Sequence, residues 1–282
     1  MKILVTGANG QLGYDLRRVL SQAGHEVTGL GRDGLDVCNG VQVKVVIEMI
    51  RPDAVVHAAA YTAVDKAEVE VDEAFRVNTD GSRNIAVAAE SVGAKVCYIS
   101  TDYVFDGNSE RPYREYDLVH PASIYGQSKL GGEILTQTLS SRYFIVRTSW
   151  VFGIGGGNFV KTMLKLGQER DALQVVNDQK GSPTYTVDLA SFIGDLIVSD
   201  GYGVYHASNT GSCTWYEFAK AIFEASGLAV TVNPCTTAEF PRPAPRPRNS
   251  TLDHVAIRTN GFSELPHWRD ALHRFLGELN TE

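Results

Sequence analysis

The N-terminus of this 282-residue chain carries the feature that most constrains its fold. An apolar run, Lys2–Thr6, leads into a turn with Gly7, Gly10 and Gly13, and a helical pattern, Gln11–Ala23, begins inside that turn. A glycine turn between a strand and a helix lets the backbone approach a pyrophosphate and leaves the helix N-terminus free to bind it. The GxxGxxG spacing in this context predicts a dinucleotide site at the turn.

Short apolar runs alternate with helical patterns through the first two-thirds of the chain. The runs are rich in Val, Ile and Leu, as is typical of parallel strands covered on both faces. This order predicts an α/β fold of Rossmann type, with a doubly wound parallel sheet and helices on both faces. The predicted strands are Lys2–Thr6, Glu26–Leu30, Ala54–Ala58, Lys95–Ser100 and Tyr143–Thr148, and the predicted helices are Gln11–Ala23, Val41–Arg51, Thr79–Val92 and Ser123–Ser141.

The character of the chain changes after Trp150. A glycine cluster follows, and Phe240–Arg248 alternates Pro with Arg, which excludes a helix interior or a central strand there. We therefore predict a smaller C-terminal substrate-binding lobe beside an NAD(P)-binding unit. The NAD(P)-binding unit is expected to comprise residues 1–150 and about 172–200, and the lobe about 151–171 and 201–282.

Composition excludes several classes of function. With 43% hydrophobic and 21% charged residues, the chain has the balance of a globular protein. A net charge of −7 disfavours binding to nucleic acid or to an anionic membrane. No secretory signal or membrane-spanning pattern is visible, and we expect a cytoplasmic protein with reduced thiols. The four cysteines lie far apart without CxxC pairing, at Cys38, Cys97, Cys213 and Cys235.

The end of the second predicted strand indicates which dinucleotide binds. NAD-selective sites usually carry a carboxylate there, whereas this chain reads Leu30-Gly31-Arg32. A guanidinium at Arg32 suits a 2′-phosphate, although Asp33 follows and could neutralise it. NADPH is therefore favoured, and use of NADH stays open. Asp36 either lies near the adenine or caps a turn.

A tyrosine and a lysine share one face of the predicted helix Ser123–Ser141. Tyr125 and Lys129 stand one helical turn apart, so an ammonium would lower the pKa of the phenol. Such a tyrosine can give a proton to a carbonyl oxygen during hydride transfer, and the lysine can hold the nicotinamide ribose. Taken alone, the pair is more typical of a Tyr and a Lys that share a solvated helix face.

The position of Thr101 favours the catalytic interpretation. It follows the strand Lys95–Ser100, and groups at the carboxyl ends of parallel strands meet at the ligand crevice. Its hydroxyl is predicted to orient the reacting carbonyl beside Tyr125. The alternative is that it only ends a strand with local hydrogen bonds.

Together these segments resemble the extended short-chain dehydrogenase/reductase family over essentially the whole chain, and within it the reductases of nucleotide-linked sugars. The resemblance implies a catalytic set of Thr101, Tyr125 and Lys129. It implies NADPH- or NADH-dependent reduction of the C4 ketone of a dTDP-linked 4-keto-6-deoxy-L-hexose, giving dTDP-L-rhamnose for cell-surface polysaccharide. The matching segments are 7–13, 58–68, 100–105, 125–129, 147–153, 158–163 and 177–184.

The resemblance also implies binding residues. Substrate contacts are implied at Thr101, Asp102 and Trp150. Cofactor contacts are implied at Gly10, Gln11, Leu12, Arg32, Asp36, Val37, Ala60, Tyr61, Thr62 and Ile99, besides Tyr125 and Lys129. Relatives of this kind have been associated with a metal-linked dimer through carboxylates that include one early in the first helix. Asp15 stands in that region and is one methylene shorter than Glu, so no magnesium site is assigned and a need for Mg²⁺ stays open.

The proline-rich segment suggests a clamp for the substrate diphosphate. Arg242, Arg246 and Arg248 are spaced by prolines, and a guanidinium matches phosphate oxygens, so a substrate contact is predicted at Arg246. The alternative is a semi-rigid surface segment with solvated charges. The expected partner is the dTDP-sugar alone, without nucleic acid or membrane, and the expected state is a monomer or a homodimer.

Rival functions remain within and outside this chemistry. A nucleotide-sugar dehydratase typically follows its threonine with Asp-Glu, whereas here Tyr103 follows Asp102. An epimerase would retain its NAD through turnover. A non-catalytic NADP-binding subunit of a methionine adenosyltransferase would keep the glycine turn while losing the proton donor. The presence of Thr101, Tyr125 and Lys129 favours the reductase.

Overall fold

The computed structural model describes residues 1–281, and its elements follow the predicted alternation. The strands are β1 (Lys2–Thr6), β2 (Glu26–Leu30), β3 (Ala54–His57), β4 (Lys95–Thr101), β5 (Tyr143–Thr148), β6 (Val151–Phe152), β7 (Ala172–Val176), β8 (Lys180–Gly181), β9 (Thr184–Tyr185), β10 (Gly203–His206), β11 (Cys213–Thr214) and β12 (Thr231–Cys235). The α-helices are α1 (Gln11–Gln22), α2 (Gly40–Ile50), α3 (Val64–Ala67), α4 (Val71–Phe75), α5 (Gly81–Val92), α6 (Ile124–Leu139), α7 (Phe159–Glu169), α8 (Thr186–Val198), α9 (Trp215–Ser226), α10 (Val255–Thr259) and α11 (Trp268–Leu279).

The main sheet is parallel and six-stranded, in the order β10-β5-β4-β3-β1-β2. Its central strands are buried on both faces because alternate side chains enter two different cores. On β1, Ile3 and Val5 pack with α1 and α8, whereas Leu4 packs with α2 and α5. The predicted Rossmann-type fold is confirmed, and it brings the carboxyl ends of β1, β3 and β4 to one edge.

Two strands lie on the other side of the boundary predicted between the NAD(P)-binding unit and the lobe. The prediction places residues 172–176 in the NAD(P)-binding unit, but β7 pairs with β12 outside the main sheet. It places residues 203–206 in the lobe, but β10 pairs with β5 in the main sheet. The reason is burial, because β7 alternates exposed and buried residues, whereas Tyr205 on β10 is inaccessible in the main core.

The second lobe has an aromatic core of its own. Phe152, Tyr185, Phe218 and Phe275 pack around one another, with ring centroids 5.3–5.8 Å apart along the contacts of Phe152. This core joins α7, α9 and α11 to the short strands. It carries Trp215 to the edge of the main sheet. Within residues 1–281 no helix is long and apolar enough to cross a bilayer.

The predicted helix Thr79–Val92 has an irregular start. A π-helical turn, Arg76–Asp80, precedes α5 and points the Asn78 amide at the loop after β3. Asn78 accepts a hydrogen bond from the Tyr61 N–H at 2.8 Å and donates one to the Tyr61 carbonyl at 3.1 Å. Such bulges are frequent at functional sites, and this one holds the loop that borders the cavity described next.

Candidate active site

A cavity of about 1070 Å³ opens at the carboxyl edge of the main sheet. Its walls come from the glycine turn, from the ends of β2, β3 and β4, from α6, and from two tryptophans of the second lobe. The predicted site residues that line it are Gly7, Gly10, Gln11, Leu12, Gly13, Arg32, Asp36, Val37, Ala60, Tyr61, Thr62, Ile99, Thr101, Asp102, Tyr125, Lys129 and Trp150. The structure thus brings together nearly all of the predicted site.

The three glycines of the turn differ in why the structure requires or tolerates a residue without a side chain. Gly7 has φ +66°, and a Cβ there would lie 2.6 Å from the Ala59 nitrogen. A Cβ at Gly13 would lie 2.2 Å from the Gly7 carbonyl oxygen, so helix and turn could not pack as they do. A Cβ at Gly10 would meet only that same oxygen, at 3.2 Å, because the rest of its surroundings is open.

The N-terminus of α1 fits a dinucleotide pyrophosphate. Within residues 1–281 no side chain caps this end, and Gly10, Gln11 and Leu12 line the cavity. Free N–H groups and the positive end of the helix dipole suit phosphate oxygens. The turn and its helix therefore fit the cofactor that the sequence predicts.

The end of the cavity at Arg32, where the sequence predicts the adenosine, is open to solvent. Arg32 is exposed at the rim, with Asp33 beside it. Asp36 caps a turn, since its Oδ1 accepts a hydrogen bond from the Cys38 N–H at 3.1 Å, and it lines the cavity as well. Both roles that the sequence left open for Asp36 are compatible with this position.

The opposite end holds the phenol and the hydroxyl of the predicted catalytic set. Ser123 caps α6 by accepting a hydrogen bond from the Gly126 N–H at 3.1 Å, which starts the helix immediately before Tyr125. A Cβ at Gly126 would lie 2.2 Å from the Tyr103 carbonyl oxygen, so the absent side chain lets α6 approach the end of β4. Burial raises the pKa of Tyr125 to about 12, and the nearby Thr101 hydroxyl opposes this rise. Tyr125 is therefore a protonated phenol at neutral pH.

Lys129 is buried between α6 and the end of β4. Its Nζ donates to the Ile99 carbonyl at 2.6 Å and lies 4.2 Å from the centroid of the Tyr98 ring. Burial lowers the pKa of this ammonium to about 7, and Glu133 opposes the decrease. The predicted lowering of the Tyr125 pKa is not seen, because burial dominates at that phenol. Lys129 does line the cavity, as predicted for a group that holds the ribose.

Asp102 presents an unsatisfied oxygen. The residue is 2% exposed, and its Oδ1 accepts a hydrogen bond from Thr101 Oγ1 at 2.9 Å. Within residues 1–281 its Oδ2 has no hydrogen-bond partner. Burial raises the pKa of this carboxyl to about 6, and the nearby Ser250 and Thr101 hydroxyls oppose the rise. A buried polar atom without a partner beside a cavity indicates a place for a ligand group.

Trp150 is stacked on a second tryptophan that the sequence did not reveal. Its backbone adopts φ +46°, in the left-handed region, and its ring lies 3.5 Å from that of Trp215 with 7° between the planes. A Cβ at Gly181 would lie 2.4 Å from the Trp150 ring, so a glycine is needed there. Trp215 begins α9 and also lines the cavity. Sequence separation hid it, and no local motif marks it.

Arg246 does not reach the main cavity, contrary to its predicted substrate contact. Its Nη2 donates to Asp65 Oδ1 at 2.9 Å, and the Ala244 N–H donates to the same oxygen at 3.2 Å. It borders a separate cavity of about 40 Å³. Asp65 therefore ties the proline-rich segment to α3. Arg242 and Arg248 are exposed, and neither lines the main cavity.

Asp15 is fully buried and already bonded. Its Oδ1 accepts from Arg18 Nη2 at 2.7 Å, and its Oδ2 accepts from the Thr186 hydroxyl. Both oxygens are thus occupied, Oδ1 within α1 and Oδ2 in joining α1 to α8. Within residues 1–281 no group of acidic, histidine or cysteine side chains has the arrangement of a metal site. The residues present do not fit a magnesium ion at Asp15.

The fold and this cavity together define a class. A glycine turn on a parallel sheet, with a threonine, a tyrosine and a lysine at the far end of one cavity, is the arrangement of a short-chain dehydrogenase/reductase. A profile of the family described as RmlD substrate binding domain matches residues 1–281. The chain belongs to that family.

The most similar proteins include enzymes of sugar metabolism. The chain is 47% identical over 280 residues to the spore coat polysaccharide biosynthesis protein SpsK of Bacillus subtilis (strain 168), covering 99% of this chain and 98% of that protein. It is 44% identical to a dTDP-4-dehydrorhamnose reductase of Aggregatibacter actinomycetemcomitans, covering 96% and 97%. The crystal structure of dTDP-4-dehydrorhamnose reductase from Bacillus anthracis str. Ames in complex with NADP has a TM-score of 0.97 and 48% identity, covering 99% of this chain and 100% of that one.

Proposed function

We propose that this protein reduces the C4 ketone of dTDP-4-dehydro-L-rhamnose with NADPH to give dTDP-L-rhamnose. The observation that carries the proposal is that Thr101, Tyr125 and Lys129 open into the same cavity as the glycine turn. The names of the full-length relatives support the substrate class. The NADP in the Bacillus anthracis structure supports the cofactor.

Tyr125 supplies the proton. The bound NADPH provides the hydride that reaches the C4 carbon. The carbonyl oxygen takes the Tyr125 proton, which leaves a phenolate to be reprotonated from solvent. Since the pKa of Tyr125 lies near 12, the donor is loaded throughout the neutral range. Thr101, bonded to Asp102, orients the carbonyl oxygen, and positioned proton transfer of this kind contributes about 10²- to 10⁴-fold to a rate.

The other end of the cavity selects and holds the cofactor. We assign the pyrophosphate to the N-terminus of α1, the nicotinamide ribose to Lys129 and a 2′-phosphate to Arg32. An ionised phosphate strengthens a guanidinium hydrogen bond, so Arg32 favours NADPH over NADH. Ala60, Tyr61, Thr62 and Ile99 border the path between the two ends.

The sugar nucleotide enters from the second lobe. Asp102 offers its unpaired oxygen to a sugar hydroxyl, and the Trp150–Trp215 stack bounds the space beside it. Arg246 keeps a donor for a substrate phosphate, because only its Nη2 is bonded to Asp65 and, within residues 1–281, its buried Nη1 has no hydrogen-bond partner.

The test is an NADPH-oxidation assay on the purified protein with the dTDP-linked 4-keto sugar. Parallel reactions use NADH and the UDP-linked sugar, and the product is identified by mass and by NMR. We expect NADPH to be consumed and dTDP-L-rhamnose to form. Binding of NADPH without oxidation would instead support a non-catalytic NADP-binding subunit, and product with another configuration at C4 would change the substrate.

Two further assignments belong to the proposal, a cytoplasmic location and a monomeric or homodimeric state. The four cysteines are free thiols, which is the state expected in the reducing cytoplasm. A monomer or a homodimer stays a prediction, which light scattering on the protein with and without NADPH measures directly.

A further inference from the structure

A buried ion pair lies directly behind the predicted catalytic residues. Glu133 is 2% exposed and receives two hydrogen bonds from Arg147, at 2.9 and 2.7 Å. The Ser100 hydroxyl donates to the same carboxylate at 2.5 Å. Arg147 also contacts the Glu115 carbonyl at 3.3 Å and His206 Nε2 at 3.4 Å.

This carboxylate joins the elements that carry the active groups. On α6, Tyr125, Lys129 and Glu133 follow one another at intervals of four residues, so they share one helix face. Ser100 immediately precedes Thr101 on β4, and Arg147 lies on β5, where Ser100 and Arg147 are paired in register. One side chain therefore connects the helix of the phenol and ammonium to the strand end of the hydroxyl.

A buried ion pair is seldom retained for stability, because apolar residues of similar volume usually stabilise a core as well. Here the pair has a neighbour that needs a negative charge. The Lys129 ammonium is 2% exposed and, within residues 1–281, forms no salt bridge. Among those residues, the Ile99 carbonyl is the only group that accepts a hydrogen bond from it. Glu133, one turn along the helix, supplies the compensating charge.

We propose that Glu133, held by Arg147 and Ser100, is a positioning residue that keeps Lys129 charged and aimed at the cavity. Its effect is exerted through Lys129 and through the strand end, since Glu133 does not line the cavity. This role rests on the proposed reductase function, because Lys129 matters as the group that holds the nicotinamide ribose.

The surroundings of Lys129 make the effect measurable. The titratable or charged groups that face it are Tyr125 and Glu133 on its own helix, His57 and Tyr98 from β3 and β4, and Arg147 behind Glu133. The pKa of His57 is lowered to about 3, and burial raises the pKa values of Tyr98 and Tyr125. Glu133 is therefore the anionic group in this set at neutral pH.

The test measures the protonation of Lys129 itself. Protein labelled with carbon-13 lysine is titrated by NMR, and the Lys129 resonance is assigned by its loss in Lys129→Arg. We expect a midpoint near 7 in the parent protein. In Glu133→Gln it should fall by about one pH unit, the scale of losing a nearby opposite charge. Glu133→Asp, which keeps the charge, should restore most of the shift.

A matched control has the same chemistry elsewhere. Asp188 on α8 accepts two hydrogen bonds from Arg274, both at 2.8 Å, and lies outside the cavity lining. Asp188→Asn should leave the Lys129 midpoint unchanged. Where Glu133→Gln does not fold, Glu133→Gln/Arg147→Met removes both charges, and its Lys129 midpoint should still fall.

Activity gives a second readout. In the pH profile of kcat/KM, the decrease on the alkaline side should have a midpoint about one pH unit lower in Glu133→Gln than in the parent protein. A folded variant with an unchanged Lys129 midpoint would overturn the proposal and leave Glu133 a purely structural residue. A parent protein that reduces no sugar, but whose Lys129 still responds to Glu133, would overturn the proposed function alone.

Discussion

The two ends of the cavity differ in how their polar groups are held. At the proposed nicotinamide end, Thr101, Asp102 and Lys129 are buried and hydrogen-bonded within the protein. At the adenosine end, Arg32 is exposed and free to adapt to its ligand. Substitutions at the buried end should therefore change catalysis strongly. Those at the open end should change only affinity, because solvent can replace what is lost.

Removing the proton donor should have the largest effect. We expect Tyr125→Phe to lower kcat by about 10²-fold or more while NADPH still binds, since the variant lacks only the hydroxyl. Stopped-flow oxidation and a fluorescence titration of NADPH measure the two quantities. Full activity in this variant would remove Tyr125 from the mechanism and with it the contrast between the two ends.

Removing the Arg32 guanidinium at the open end should weaken the binding of NADPH and leave that of NADH almost unchanged. Arg32→Ala is expected to raise the Kd of NADPH about tenfold, equivalent to about 1.4 kcal/mol, and to change that of NADH little. The reason is that only NADPH carries the 2′-phosphate. Isothermal titration with both cofactors is the measurement, and equal losses for both would show that Arg32 does not bind that phosphate.

Removing one ring of the tryptophan stack should act on the sugar side. Trp215→Ala leaves the Trp150 ring unsupported, and a stacked aromatic pair contributes about 1 kcal/mol beyond its buried area. We expect KM for the sugar nucleotide to rise about fivefold, with a smaller change in kcat. Trp215→Phe is the matched control. A changed Kd for NADPH in place of KM would assign the stack to the cofactor.

A buried histidine near the nicotinamide end should make stability depend on pH. The pKa of His57 is lowered to about 3, mainly by burial, so between about 6.5 and 3 the unfolded chain binds a proton that the folded protein does not. Stability is therefore lost as the pH falls through this window. From pH 7 to 5.5 we expect a loss of about 1 kcal/mol that His57→Gln no longer shows.

The control for that titration is His273→Gln, because His273 is exposed on α11. Urea unfolding at a series of pH values measures the slopes. A His57→Gln slope equal to that of the parent protein would mean that His57 is not the group that responds, and His206, whose pKa burial also lowers, would be examined next.

Local pattern was sufficient to predict most of the fold and the cofactor end. β1, the turn from Gly7 to Gly13 and α1 follow one another within 22 residues, so their arrangement depends on short-range geometry. The Tyr125–Lys129 spacing also follows from helix geometry alone. The boundary of the lobe could not be predicted in the same way, since β7 and β10 are both short strands and only tertiary packing decides which strand each pairs with.

What the sequence by itself determined was a set of groups that line one cavity: the glycine turn, Thr101, Tyr125 and Lys129. Only the tertiary structure decided their electrostatic state, because that depends on residues distant in sequence. The ion pair of Glu133 and Arg147 forms behind Lys129, and Asp65 forms an ion pair with Arg246. Trp215 stacks on Trp150, which lies 65 residues earlier in the chain. Burial and opposite charges set a pKa, and both arise only when separate segments of the chain pack together.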